Sequence, residues 1–226
     1  SLIQEADGII ALGKFSPKTI RDLESYGKPL IFVDSNTLYL GHSCVTTDLE
    51  DSVITALEYF LEHGHKEIGL LVGQEETADA TPLQMDPRQR VFQQYLTEKG
   101  LYQDRFVTVG QFSTESGYQM MEQLIQALGD DLPTAFFMAS DAIAVGALRS
   151  LQEHQIAVPD RVSLISFNDT SIAKYVFPAL STVTVYTEEM GKQAIQMLRQ
   201  TFQGNQPSVP YMVKLATKLT IRDSSR

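Results

Sequence analysis

The stretch Leu49–Gly73, LEDSVITALEYFLEHGHKEIGLLVG, changes its hydrophobic period once, around His63–Lys66. Before that point Leu49, Val53, Leu57, Phe60 and Leu61 recur at the spacing of one helix face, with Thr47 or Asp48 as the cap. After it, Ile68–Val72 is a short apolar run of the kind buried on both faces of a parallel sheet. His63, His65 and Lys66 then sit at the helix C-terminus, where basic groups offset the negative end of the dipole. The same His-Gly-His spacing could suggest a metal, but no cysteine supports it and the helix end explains it better.

The alternation repeats on both sides. Strands are predicted at Ile9–Leu12, Leu30–Val33, Phe106–Val109, Ala135–Ala139, Val162–Phe167 and Val183–Tyr186. Between them lie helical stripes: Phe92, Tyr95 and Leu96 closed by Gly100; Met121, Leu124, Ile125 and Leu128; Ala144, Leu148 and Leu151; and Met190, Ala194, Leu198 and Phe202 before Gly204. Strand–helix alternation of this kind builds parallel sheets covered by helices, so the fold class is α/β. Two of the helices carry apolar residues beyond a narrow stripe, Tyr118, Met120 and Met121 on one and Ile143, Val145 and Ala147 on the other. Such wide faces suit either an interface with a second copy or packing against a neighbouring helix.

With 226 residues, 43% hydrophobic and 20% charged, the chain can bury a sizeable core. Its formal net charge of −10 gives no basic face, so this segment is a poor stand-alone nucleic-acid binder. No apolar run reaches the roughly 18 residues of a membrane span, and Ser1–Asp7 lacks the basic and apolar parts of an export signal. The single cysteine, Cys44, reads as a small buried residue and fits a reducing compartment. A cytoplasmic protein with no membrane partner is expected. Ser1–Ala6 is too short for a leading strand and helix, so the first sheet is expected to be incomplete, cut inside its domain.

Open α/β sheets bind ligands outside the carboxyl ends of their strands. Those positions hold Gly13 and Lys14, then Asp34, Ser35 and Asn36, then Ser140 and Asp141, then Asn168 and Asp169. A polar loop, Gly73–Pro87, leads to Arg88 at a helix start, and Phe112 lies just beyond another strand. Carboxylate, amides, hydroxyls, a guanidinium and an aromatic ring suit a neutral polyhydroxylated ligand. Plainer roles stand beside this one: Ser140-Asp141 is a good helix cap, and Phe112 can be core. The sequence has no G-x-G-x-x-G, no phosphate-binding loop and no G-x-S-x-G elbow. Ser171-Ile-Ala-Lys174 has the S-x-x-K spacing of acyl-transfer enzymes, but its companion motifs are missing. Neither catalysis nor a cofactor is expected.

Several segments together resemble the lactose/galactose repressor family of transcriptional regulators. They are Asp7-Gly-Ile-Ile10, Ile31-Phe-Val-Asp34, Val45-Thr-Thr-Asp48, Gly64–Gly73, Asp86-Pro-Arg88, Ala139–Gly146, Val158-Pro159, Val162–Asp169 and Pro178–Val183, in the family's order over essentially the whole chain. Ala139-Ser-Asp141 and the Thr217–Arg226 tail are closest to the β-galactoside and galactose-operon subgroup.

The resemblance implies two similar lobes of parallel sheet flanked by helices, the periplasmic-binding-protein-like architecture, with a small sugar held in the cleft between them. It places residues 1–46 and 186–213 in an incomplete N-terminal lobe and 47–185 with 214–226 in the other. It implies operator DNA as a partner, through an N-terminal helix-turn-helix head absent from this sequence, and a homodimer. Carried over position by position, Asp34, Arg88, Ser140 and Asn168 fall where the family places hydrogen bonds to its effector, and Phe112 where it places an aromatic platform. Arg88 is preferred to Arg90 because its spacing to Phe92-Gln-Gln-Tyr-Leu96 fits the family. Asn168 stands where an Asp is frequent, and Val185 and Thr187 where relatives often carry a polar or aromatic contact. Two rival readings share the fold or the residues: a periplasmic-type sugar-binding protein for transport, and a sugar hydrolase using Asp34 or Asp141.

Overall fold

The computed structural model describes residues 2–77 and 85–226, so the middle of the polar loop expected at Gly73–Pro87 lies outside the described residues. In chain order the strands are β1 (Ile9–Leu12), β2 (Leu30–Val33), β3 (Cys44–Thr47), β4 (Ile68–Gly73) and β5 (Val107–Gly110). They continue with β6 (Ala135–Met138), β7 (Ser163–Asn168), β8 (Ser181–Thr184), β9 (Met212–Leu215) and β10 (Lys218–Thr220). The helices are α1 (Leu2–Glu5), α2 (Pro17–Glu24), α3 (Leu49–Glu62) and α4 (Pro87–Glu98). After them come α5 (Thr114–Leu128), α6 (Asp141–Glu153), α7 (Ile172–Tyr175) and α8 (Thr187–Phe202).

Two compact units result. The first holds the residues up to Asp48, Glu76 and Thr77, and Tyr186–Ala216; the second holds Leu49–Glu75, the described residues up to Val185, and Thr217–Arg226. The first unit is built on a sheet of order β1-β2-β3-β9, parallel throughout. Its core joins Ala11, Ile20, Phe32 and Cys44, with Phe15, Leu23 and Met212 against them. The second is built on a sheet of order β10-β8-β7-β6-β4-β5, in which only β10 runs antiparallel, against β8. Parallel sheets flanked by helices are the architecture that the strand–helix alternation predicts.

In the second unit the side chains divide by the pleat's period of two. Leu70, Val72 and Phe137 join the core with Val53, Leu57, Phe60, Phe92 and Leu96 from α3 and α4. Leu71, Phe136 and Met138 join the opposite core with Met121, Leu124, Ala144 and Leu148 from α5 and α6. Every residue of β4 and β6 is buried, which is why their sequences are unbroken apolar runs. The helix starts are written locally: Asp86 caps α4 ahead of Pro87, Ser113 caps α5 and Ser140 caps α6, each accepting a backbone N–H of the first turn.

One expected strand is corrected, and two further features go beyond what the apolar pattern shows. The strand expected at Val183–Tyr186 lies at Ser181–Thr184, and Tyr186 instead precedes α8. Ser181 and Thr182 are buried because their hydroxyls find partners on Arg222, Ser225 and Asp141, so the strand's first half is polar and escapes an apolar-run reading. Of the wide apolar faces of α5 and α6, Met120, Met121, Ile143 and Ala147 are buried within the unit, as helix packing requires, while Tyr118 and Val145 are half-buried. Their backbones touch: a Cβ on Gly146 would stand 1.9 Å from the Thr114 carbonyl oxygen, and one on Gly117 2.1 Å from that of Ile143. Third, β3, β9 and β10 are strands that the apolar pattern does not announce, being short and half polar.

Candidate functional site

Arg88 begins the first turn of α4 behind its cap, Asp86, yet it is buried, at 8% exposure. Its place at a helix start after a polar loop gives no local sign of this burial. Its Nε donates to Asp86 Oδ1 at 2.8 Å and its Nη2 to Oδ2 at 2.6 Å, a two-bond grip that fixes the guanidinium plane. Nη1 donates to the Ala139 carbonyl at 2.9 Å, and Glu75 Oε1 lies 3.9 Å from Nη2. The guanidinium carbon stands 4.9 Å from the Phe112 ring centroid and 5.3 Å from that of Phe167, so it packs against both rings. One charged group thereby touches the ends of three neighbouring strands, β4, β6 and β7, and the segment after β5.

Phe112 is half-buried and packs against both cores of the second unit. Gly73, at the end of β4, makes room for it: a Cβ there would stand 2.4 Å from the ring and 2.7 Å from the Phe112 nitrogen. The structure therefore gives the ring its core role and leaves it half-buried beyond the strand end. Ser140 follows β6 and its Oγ accepts from Ile143 N at 3.2 Å, the cap role. Accepting that bond leaves the hydroxyl proton to be donated elsewhere.

Asn168 ends β7 with φ +107, and Asp169 follows with φ +59. Left-handed backbone is costly for residues with a Cβ and concentrates where surroundings force it, often at binding sites. The half-buried Asn168 amide makes no side-chain hydrogen bond among the described residues. The two carboxylates nearby are otherwise engaged. Asp169 pairs with Arg222 at 2.7 Å and accepts from Thr184 at 2.8 Å. Asp141, at 1% exposure, accepts from Ser166, Thr182 and both the N–H and hydroxyl of Thr170. A carboxylate so enclosed and saturated has no oxygen to offer a substrate, which argues against the hydrolase reading for Asp141.

Asp34 follows β2 in the first unit, exposed, with φ +64 and its carboxylate 3.4 Å from Lys14 Nζ. The structure thus brings Arg88, Phe112, Ser140 and Asn168 to adjoining strand ends of one sheet and places Asp34 at the corresponding end of the other. Sequence reasoning missed the shell that holds them: Asp86, Phe167 and Arg222. Asp86-Pro87 ahead of a helix is a recognisable cap signature. Nothing local marks Arg222, whose partner Asp169 lies far away in sequence.

A family model described as a periplasmic binding protein-like domain matches residues 57–225. The HTH-type transcriptional regulator GalR of Streptococcus thermophilus is 50% identical over 226 residues, 100% of this chain and 68% of that protein. GanR of Bacillus subtilis (strain 168), another HTH-type transcriptional regulator, is 35% identical over 225 residues, 99% of this chain and 68% of that protein. Among solved structures, the transcriptional regulator CelR–cellobiose complex superposes with a TM-score of 0.84 at 24% identity, covering 99% of this chain and 67% of that one, a likeness of fold. These relatives are transcriptional regulators by name, which favours the regulator reading over transport or hydrolysis. With half its residues shared with such a regulator and three quarters of its length matched by the family model, the chain belongs to the periplasmic binding protein-like domain family, among the regulators of the LacI/GalR type.

Proposed function

We propose that the chain is the effector-sensing core of a sugar-responsive transcriptional repressor that takes a galactoside or a related small sugar. Arg88, Ser140 and Asn168 supply hydrogen bonds to the sugar hydroxyls and Phe112 packs against a C–H face; Asp34, at a strand end of the first unit, is a further candidate hydroxyl acceptor. The observation that carries this reading is the convergence on Arg88, whose guanidinium spans Phe112, Phe167 and the Ala139 carbonyl, next to Ser140 and Asn168. Rigid donors, a ring and a half-buried amide at strand ends are what a polyhydroxylated ligand requires. Cellobiose on the CelR relative supports a sugar as the ligand class.

In the full-length protein a helix-turn-helix head would carry operator binding. Reading paired half-sites requires two heads, hence a cytoplasmic homodimer. Sugar would act by binding one arrangement of the protein better than another, since a ligand shifts an equilibrium only through differential affinity. Titration calorimetry of the full-length protein with galactose, lactose and cellobiose tests the reading. Saturable one-to-one binding, weakened by Asn168→Ala, is the expected result. No heat with any of the three would remove the galactoside class.

A further inference from the structure

The Asn168–Thr170 turn is held in its unusual backbone from two sides, by the Asp141 carboxylate of α6 and by the Arg222 guanidinium near the C-terminus. Asp141 Oδ2 accepts from the Thr170 N–H at 2.6 Å and from its hydroxyl at 2.7 Å. Asp141 Oδ1 accepts from Thr182 Oγ1 at 3.0 Å, and that same Thr182 oxygen accepts the N–H of Asp169 at 3.3 Å. Asp141 thus captures both backbone N–H groups that follow Asn168, one directly and one through Thr182. From the other side Asp169 is tied to Arg222, whose second nitrogen donates to the Leu180 carbonyl at 2.8 Å. Thr184 and Thr220 close this side, their hydroxyls 2.6 Å apart.

We infer that Asp141 and Arg222 are positioning residues that clamp the Asn168–Thr170 turn and so set the direction of the Asn168 amide. The inference rests on the sugar-binding reading above. The physical reason lies in the backbone: Asn168 at φ +107 and Asp169 at φ +59 would relax into ordinary extended conformation unless their following N–H groups were held. A carboxylate suits the task because it offers acceptors only, enough for all four donors around it. The first turn of α6, where Asp141 sits, favours the negative charge. Asparagine in its place would turn an N–H₂ toward one donor pair and release part of the turn. Neither Asp141 nor Arg222 has to touch the sugar for its loss to be felt there.

The test is a double-mutant cycle in the full-length protein, read by calorimetry with the tightest binder among galactose, lactose and cellobiose. Asp141→Asn should weaken binding about tenfold in the otherwise unaltered protein and less than about twofold when Asn168 is already Ala. Arg222→Met should behave the same way, with Arg222→Lys recovering part of the loss, and it serves if Asp141→Asn fails to fold. The Thr170 amide proton supplies a ligand-independent readout, its resonance moving upfield in Asp141→Asn as the charged acceptor is lost. Equal losses in both backgrounds, or unchanged affinity, would overturn the positioning role while sugar binding stands. Failure of the unaltered protein to bind any of the sugars would overturn the sugar reading and this proposal with it.

Discussion

Arg88 and Asp86 meet through parallel hydrogen bonds, Nε to Oδ1 at 2.8 Å and Nη2 to Oδ2 at 2.6 Å, while the same carboxylate accepts the Arg88 backbone N–H that begins α4. A helix cap and a charge pair are therefore one object, with Asp86 at 3% exposure and Arg88 at 8%. Removing the guanidinium would leave a buried carboxylate without its cation, a change that costs roughly 3–5 kcal/mol where the site is closed. Arg88→Ala is accordingly expected to lower stability as well as sugar affinity. Urea unfolding measures the first and calorimetry the second. An unchanged unfolding midpoint would show that Asp86 finds water or another partner.

Phe112 rests on Gly73, so the ring can be disturbed without being touched. Gly73→Ala would put a methyl group 2.4 Å from the ring, closer than real contacts allow, and the aromatic must shift. Sugar affinity should fall by about tenfold, with a stability loss of about 1–3 kcal/mol from overpacking. Calorimetry on Gly73→Ala and Phe112→Ala together checks this, because the two losses should overlap rather than add. Additive losses would assign Gly73 a separate role.

Asn168 offers a substitution whose two effects run in opposite directions. Glycine tolerates φ +107 without cost, so Asn168→Gly should relieve strain and raise stability by up to about 1 kcal/mol. It also deletes the amide, and sugar affinity should drop. Melting temperature and titration on one preparation decide the matter. A less stable variant would mean that the Asn168 side chain supports the fold.

Gly146 and Gly117 let α5 and α6 approach until backbone meets backbone. Gly146→Ala would drive a methyl into the Thr114 carbonyl oxygen, 1.9 Å away, and a carbonyl cannot swing aside as a flexible side chain can. A loss of about 1–3 kcal/mol in urea unfolding is expected, with the helices forced apart. No loss would mean that the helices slide freely, and the compact packing of this face would need revision.

The legible parts of this chain are those where local pattern and final environment coincide. β4 and β6 are apolar runs because both of their faces are covered, and α3 shows its buried stripe at Val53, Leu57 and Phe60. Asn168 and Ser140 were readable as strand-end residues for the same reason. What escaped reading depends on partners brought from far along the chain. Ser181 and Thr182 look like loop residues until Arg222, Ser225 and Asp141 satisfy their hydroxyls. β9 becomes a strand by pairing with β3, Cys44 against Met212, across most of the sequence. The burial of Arg88 is not legible locally because it rests on Asp86, Phe112, Phe167 and Ala139, which converge only after folding.

The central claim is that this core couples a sugar to DNA binding, and reciprocity tests it most directly. Operator affinity of the full-length protein is measured with and without saturating sugar, and sugar affinity with and without saturating operator. The account predicts that each ligand changes the other's affinity by the same factor, about 5- to 150-fold, the range of ordinary allosteric coupling. Sugar binding that leaves operator affinity unchanged would contradict it.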